Sequence, residues 1–198
     1  MSEQTDKNLP LQGLKVIEMG QLIAGPFASK LLGEFGADVI KIEPPRVGDP
    51  LRKWRKLKDG TSLWWHVQSR NKRSVTLDLK AAEGQQIVRQ LVAEADILVE
   101  NFRPGTLEGW GLSYEALKAI NPRLIYVSIT GYGQTGPYKD RAGHDLNYLA
   151  LSGLSSYTGR RDSGPLPLGM QVADIAGGSL HGVIGLLAAV IARHSTGQ

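Results

Sequence analysis

Hydrophobic residues along the chain gather in short runs, and amphipathic stretches fill much of the space between them. Runs at 14–19 (LKVIEM), 38–43 (DVIKIE), 74–79 (SVTLDL), 96–100 (DILVE) and 124–130 (LIYVSIT) read as strands. Between the first two, Pro26 suits the first helical position because its missing N–H would be unpaired there anyway. Residues 27–35 then supply an apolar face, and Gly36 stops the helix. A second helix spans 81–93, with Ile87, Val88, Leu91 and Val92 on its buried side. A third spans 114–120, between the cap Ser113 and Asn121-Pro122. Further on, 144–151 predicts a helix ending at Gly153, 157–169 a flexible loop and 174–191 a Gly/Ala-rich helix. In that last helix Gly177, Gly178, Gly182 and Gly185 each cost about 0.8–1.0 kcal/mol relative to Ala, which makes sense where another backbone lies close. Residues 1–13 read as a flexible start closed by Gly13.

The repeated β-α-β order predicts right-handed crossovers and a doubly wound, mostly parallel α/β sheet. Ligands of such sheets bind beyond the carboxyl ends of the strands, here the loops after Met19 and Glu43, the first of which also presents a helix N-terminus to an anion. One connection is unusual. Residues 44–71 form a long basic and aromatic segment with Trp54, Trp64 and Trp65, able either to hold a nucleotide by charge and stacking or to pack on the sheet or a partner subunit. The glycines of GYGQTG (Gly131, Gly133, Gly136) match G-x-G-x-x-G, yet PYKDR continues as loop where a dinucleotide site needs a helix. They are read as turn glycines or as room for a close approach.

Composition narrows the class. The chain has 198 residues, 41% hydrophobic and 21% charged, which suits one soluble globular domain. Net charge is +4, but residues 46–73 hold nine Lys/Arg against Asp49 and Asp59, which reads either as a surface for an anionic partner or as a solvated charged loop. Cysteine is absent, which removes thiolate chemistry and Cys-type metal sites, and no metal site is expected. The polar MSEQTDKNLP is unlike a signal peptide, and the apolar run 183–192 is too short to span a bilayer. A cytoplasmic protein with neither a membrane nor a nucleic-acid partner is the expectation.

The chemistry concentrates in 142–178. Asp174 lies at a helix start among small apolar residues, where unpaired N–H groups would favour its carboxylate form. It could cap the helix, attack a thioester to give a mixed anhydride, or act as a general acid/base. His144 could cap the next helix. Were it to face one pocket with Asp174, the two could exchange a proton on a carbon α to a carbonyl. Asp145 faces another side of that helix and is read as support.

The segments LQGLKVIEMGQLIAGPFASKLLGEFGADVIKIEPP, NKRSVTLDLK, ADILVENFRPG, INPRLIYVSITGYGQTGPY and AGHDLNYLALSGL with ADIAGG carry a resemblance over almost the whole chain. The chain resembles the family III CoA-transferases, the group that includes formyl-CoA transferase, carnitine CoA-transferase and α-methylacyl-CoA racemase. The resemblance implies a Rossmann-like large domain, truncated here relative to a two-domain, interlocked homodimeric architecture, with 14–198 as its N-terminal part and the small domain absent. It implies coenzyme A or acyl-CoA as substrate, with no tightly bound cofactor, and a carboxylic acid as acceptor. Asp174 corresponds to the nucleophile that forms aspartyl anhydride and thioester intermediates. Lys72, Arg73, Lys80, Asn101 and Arg103 fall in segments similar to those that contact CoA. Ile23 and Pro44 replace a glutamine and an arginine of formyl-CoA transferases, which argues against formyl or oxalyl groups. His144 with Asp174 resembles the racemase pair, but racemases have a much shorter connection where this chain has 46–70, and typically an asparagine where it has Met170. CoA transfer is the leading expectation, racemisation the second, and a non-catalytic CoA-binding remnant the third.

Overall fold

The structure, a computed structural model, describes residues 9–197. In chain order it contains β1 (Lys15–Glu18), α1 (Ala24–Glu34), β2 (Asp38–Glu43), β3 (Leu57–Lys58), β4 (Thr61–Ser62), α2 (Leu63–Gln68) and β5 (Lys72–Thr76). These are followed by α3 (Ala82–Ala93), β6 (Ile97–Glu100), α4 (Thr106–Gly109), α5 (Tyr114–Ile120), β7 (Ile125–Ser128), α6 (Asp145–Leu151), β8 (Gly159–Arg160), β9 (Gly164–Pro165) and α7 (His181–Thr196). The main sheet has five strands in the order β5-β2-β1-β6-β7, every pair parallel. The chain winds outward from β1 through β2 to β5 and returns beside β1 at β6, so the winding reverses between β1 and β6.

Alternation along the strands builds two cores. Ile17, Ile42 and Leu98 turn to one face with Val88, Val92 and Leu117 of α3 and α5. Val16, Val39, Ile97 and Val99 turn to the other with Leu32 of α1 and Val183, Leu186 and Val190 of α7. Both faces are covered, which is why the strands read as nearly continuous apolar runs. Leu32 is fully buried, and truncating it to Ala is expected to cost about 2–5 kcal/mol.

Several expectations shift. Helix α1 starts at Ala24, which puts Pro26 in its third position, still in the first turn, where the N–H that proline lacks would have no intrahelical partner. Of the start read as flexible, residues 9–13 form a hydrogen-bonded turn, in which Leu11 N–H donates to Phe35 O (2.9 Å) and Gln12 N–H to Leu9 O (3.0 Å), while residues 1–8 lie outside the described residues. The segment after β2 is not structureless, since it carries a 3-10 turn (Pro50–Lys53), the β3-β4 hairpin and α2. Ile87 is exposed rather than buried on α3. The last helix opens as a π-helical stretch, Ala173–Leu180, and runs on through α7. The glycines do not break it, so the segment Ala173–Thr196, with an 18-residue window of mean hydropathy 1.9, is by length and composition long and apolar enough to cross a membrane, a property that the shorter run 183–192 had hidden. It lies instead along the sheet, its end fixed by Arg193, whose Nη2 donates to Asp96 Oδ1 at 2.7 Å.

Candidate active site

The loops after β1 and β6 meet where the winding reverses. Asn101 clasps them: its Oδ1 accepts Gln21 N–H (2.7 Å) and its Nδ2 donates to Gln21 O (3.0 Å). A Cβ on Gly20 would stand 2.8 Å from that Oδ1, and one on Gly25 3.0 Å, so the clasp needs both glycines. The amide of Asn101 is therefore engaged by backbone, and the residue also lines the groove formed above the clasp.

Beneath this floor lies a buried ionic network. Glu18, whose side chain is fully buried, holds Lys41 Nζ at 2.7 Å, Lys72 Nζ at 2.6 Å and Ser29 Oγ at 2.7 Å. Lys41 also reaches Asp49 Oδ2 (2.9 Å) and Gly20 O (2.8 Å), and Lys72 reaches Pro26 O (2.7 Å). Asp49 in turn accepts Leu22 N–H through both oxygens (3.2 and 3.3 Å) and Leu51 N–H (2.9 Å). Burial alone would raise the pKa of Glu18, but Lys41 and Lys72 outweigh it and hold the carboxyl below the ordinary range. Burial likewise opposes the charge on Lys41, yet Glu18 and Asp49 raise its pKa. Glu43 closes the outer end, gripped by Arg52 (2.7 Å to each oxygen) and Ser74 (2.6 Å), and despite burial its pKa falls to about 2.

The network places Lys72 away from the surface. Its side chain is 2% exposed and its Nζ is engaged by Glu18, while burial, with Lys41 adding to it and Glu18 opposing, lowers its pKa. Arg73 pairs with Asp38 on the surface, and Lys80 follows a turn closed by Asp78 Oδ1. Neither lines the groove formed above the clasp, whereas Arg103 does.

That groove has a volume of about 1060 Å3 and brings together His144, Asp145, Asp174, Arg103, Trp54, Arg55 and Trp64. Asp174 enters it from the π-helical turn, where i→i+5 bonding widens the backbone, a geometry common at functional sites. Two contacts set its place. Asp174 N–H donates to Oδ1 of buried Asp145 (3.0 Å), and Ser179 Oγ lies 2.9 Å from Asp174 O and 2.7 Å from Ala24 O, joining the turn to α1. Burial and then the Asp145 charge raise the pKa of Asp174, with His144 opposing. This reverses the expectation of a carboxylate favoured by unpaired N–H groups, because burial and the neighbouring Asp145 charge both disfavour the ionised form. A carboxylate destabilised in this way is a stronger nucleophile and a better general base.

His144 is exposed at the head of α6, its backbone N–H on Asn147 Oδ1 (2.9 Å). Tyr148, which the sequence reading missed, donates its OH to Gly143 O (2.6 Å) and stacks edge-on against Tyr132 with centroids 5.1 Å apart. A Cβ on Gly131 would fall 2.2 Å from the Tyr148 ring, so the first glycine of GYGQTG makes room for a side chain. Gly133 and Gly136 have positive φ and serve the turn. Among the tryptophans, Trp65 packs with Ile23 and Leu51, while Trp54 and Trp64 face the groove. Leu22, another groove residue, has φ +63, a strained conformation for a non-glycine that the Asp49 carboxylate pins through its N–H.

Comparison with known proteins adds to this geometry. The model of CoA-transferase family III matches residues 11–198. The chain is 47% identical over 93% of its length to succinyl-CoA–D-citramalate CoA-transferase of Chloroflexus aurantiacus, covering 45% of that protein. It is 41% identical over 98% of its length to human succinyl-CoA:glutarate CoA-transferase, again covering 45%. A crystal structure of a CAIB/BAIF family protein from Brucella suis superposes with TM-score 0.92 at 46% identity, over 97% of this chain and 52% of that one. The chain thus spans about half the length of the curated relatives it matches.

Proposed function

Because this chain belongs to CoA-transferase family III, we propose that it forms the Asp174 side of an enzyme that moves CoA from an acyl-CoA to a dicarboxylic acid. The relatives named above act on succinyl-CoA with citramalate or glutarate, and at this level of identity the same class of acid is the best reading for the chain. The observation that carries the chemistry is a half-buried Asp174 carboxylate of raised pKa in an open groove.

In the proposed reaction the Asp174 carboxylate attacks the thioester carbonyl and CoA leaves as a thiolate, giving an acyl-aspartyl anhydride. The thiolate returns to the aspartyl carbonyl, forming an aspartyl-CoA thioester and releasing the donor acid. The acceptor carboxylate attacks that thioester, and the freed thiolate then attacks the acceptor's acyl carbonyl, restoring Asp174. Charge is conserved at each step and no net proton moves. Arg103 is the groove cation best placed by its sequence motif to meet CoA. The apolar residues Ile184 and Ile191, 64% and 67% exposed on α7, suit burial in a homodimer of the full-length enzyme.

Trapping tests the reading. Full-length protein incubated with succinyl-CoA and hydroxylamine or borohydride is expected to carry its modification on the Asp174 peptide, and Asp174→Asn to carry none. Unimpaired transfer by Asp174→Asn would overturn it. Because His144 lines the same groove, racemisation is the second reading, and α-deuterium exchange into 2-methylacyl-CoA in heavy water separates the two.

A further inference from the structure

The basic segment after β2 does not spend all its arginines alike. Arg52, Arg70 and Arg73 each hold a carboxylate, of Glu43, Glu34 and Asp38 respectively. Arg55 makes no ion pair among the described residues and lines the groove. Its guanidinium lies over the Trp64 ring, 4.6 Å from the centroid, and its backbone has φ +60, unusual for a residue with a side chain. Stacking fixes the plane of a guanidinium and leaves its N–H edge for two parallel hydrogen bonds to a carboxylate. The wall behind it is rigid, since the preceding 3-10 turn is capped by Asp49, itself held by Lys41.

An acid with two carboxylates faces a specific difficulty here. Its reacting end must approach Asp174, and its other end must enter a groove that already contains Asp145 and Asp174. A compensating cation is needed on a segment other than the one bearing the nucleophile. Arg103 lines the groove from the loop after β6, beside the Asn101 clasp, and is the cation read above as meeting CoA. Arg141, stacked over Tyr138, and Lys139 also line the groove, but they sit on the loop that runs directly into His144 and Asp145, whereas Arg55 comes from the separate segment after β2. Resting on the transferase reading above, we propose that Arg55, braced by Trp64, binds the distal carboxylate of the acyl group and makes the enzyme select dicarboxylic over monocarboxylic acids.

The test is the ratio of kcat/KM for succinate to that for butyrate as acceptor in the full-length enzyme. Arg55→Leu is expected to lower it about tenfold to a hundredfold, the loss of one charge-assisted contact, and Arg55→Lys to restore part of it. Lys53→Leu, on the neighbouring turn and outside the groove, is expected to leave the ratio alone. An unchanged ratio in an active Arg55→Leu enzyme overturns the proposal and leaves the transferase reading standing. If the parent enzyme transfers CoA to neither acid, the transferase reading fails, and calorimetric titration with succinate decides Arg55: binding weakened by Arg55→Leu keeps the site, and binding equal in both proteins, or absent, removes it.

Discussion

Lys72→Met separates a structural lysine from a ligand-binding one. The substitution keeps most of the side-chain volume but removes an ammonium that is 2% exposed and lies 2.6 Å from Glu18, leaving that oxygen with Ser29 alone. Breaking a buried pair by removing one partner costs about 3–5 kcal/mol, because the remaining charge stays in a poorly solvated site. At about 2–4 °C per kcal/mol for a domain of this size, the melting temperature is expected to fall by about 6–20 °C. Glu18→Gln in the same protein removes the negative charge left in excess, since Lys41 alone then faces Glu18 and Asp49, and is expected to recover much of the loss, a coupling that a double-mutant cycle measures. Scanning fluorimetry gives the melting temperatures, and CoA titration below the transition gives the affinity, which is expected to stay within about twofold of the parent, a difference of about 0.4 kcal/mol. A melting temperature within about 2 °C of the parent together with a tenfold weaker CoA affinity would refute the reasoning and return Lys72 to the ligand.

Other outcomes follow from the same geometry. Asp174→Asn is expected to abolish transfer while raising the melting temperature at neutral pH, because a carboxyl whose folded pKa is raised opposes folding once ionised; calorimetry across pH checks the sign. Asp145→Asn removes one cause of that shift, so the acid limb of kcat/KM is expected to move to lower pH. Glu43 contributes stability that is present above its unfolded pKa of about 4.3 and is lost as pH falls toward its folded value of about 2. Arg52→Leu is therefore expected to raise the midpoint of acid unfolding followed by circular dichroism. Gly20→Ala places a Cβ 2.8 Å from Asn101 Oδ1 and is expected to cost about 1–3 kcal/mol in chemical denaturation, with weaker CoA binding as the clasp opens.

The strands and most helices were legible because burial on both faces leaves an apolar run, and because Ser113 and Asn121 mark helix ends by chemistry that acts locally. Asp174 and His144 stood out as polar groups beside small or apolar neighbours, and the structure sets both in one groove. Lys72 did not declare its role. Whether a lysine faces a ligand or a buried glutamate depends on Glu18, 54 positions earlier in the sequence, and on a strand pairing that no local pattern encodes. The clasp of Asn101 on Gln21 spans 80 positions and is equally hidden. Tyr148 could have been suspected, since Gly131 and Gly143 both leave room for one ring, but the spacing said only that the glycines turn tightly or admit a close approach, not what approaches. The π-helical opening at Asp174 escaped because its apolar pattern differs little from that of an α-helix.

That opening makes the site a matter of counting. Successive residues of an α-helix step by about 100° around the axis, and the π stretch accommodates its surplus by a wider turn. Deleting Gly177, whose α-carbon faces open space, would let the ladder close in α register from α7 backward. Everything upstream would then swing by about 100° relative to the sheet, carrying the Asp174 carboxylate off the groove while Val183, Leu186 and Val190 kept their seats. One residue of surplus chain thus sets which way the helix aims its carboxylate, independently of how firmly the helix is packed.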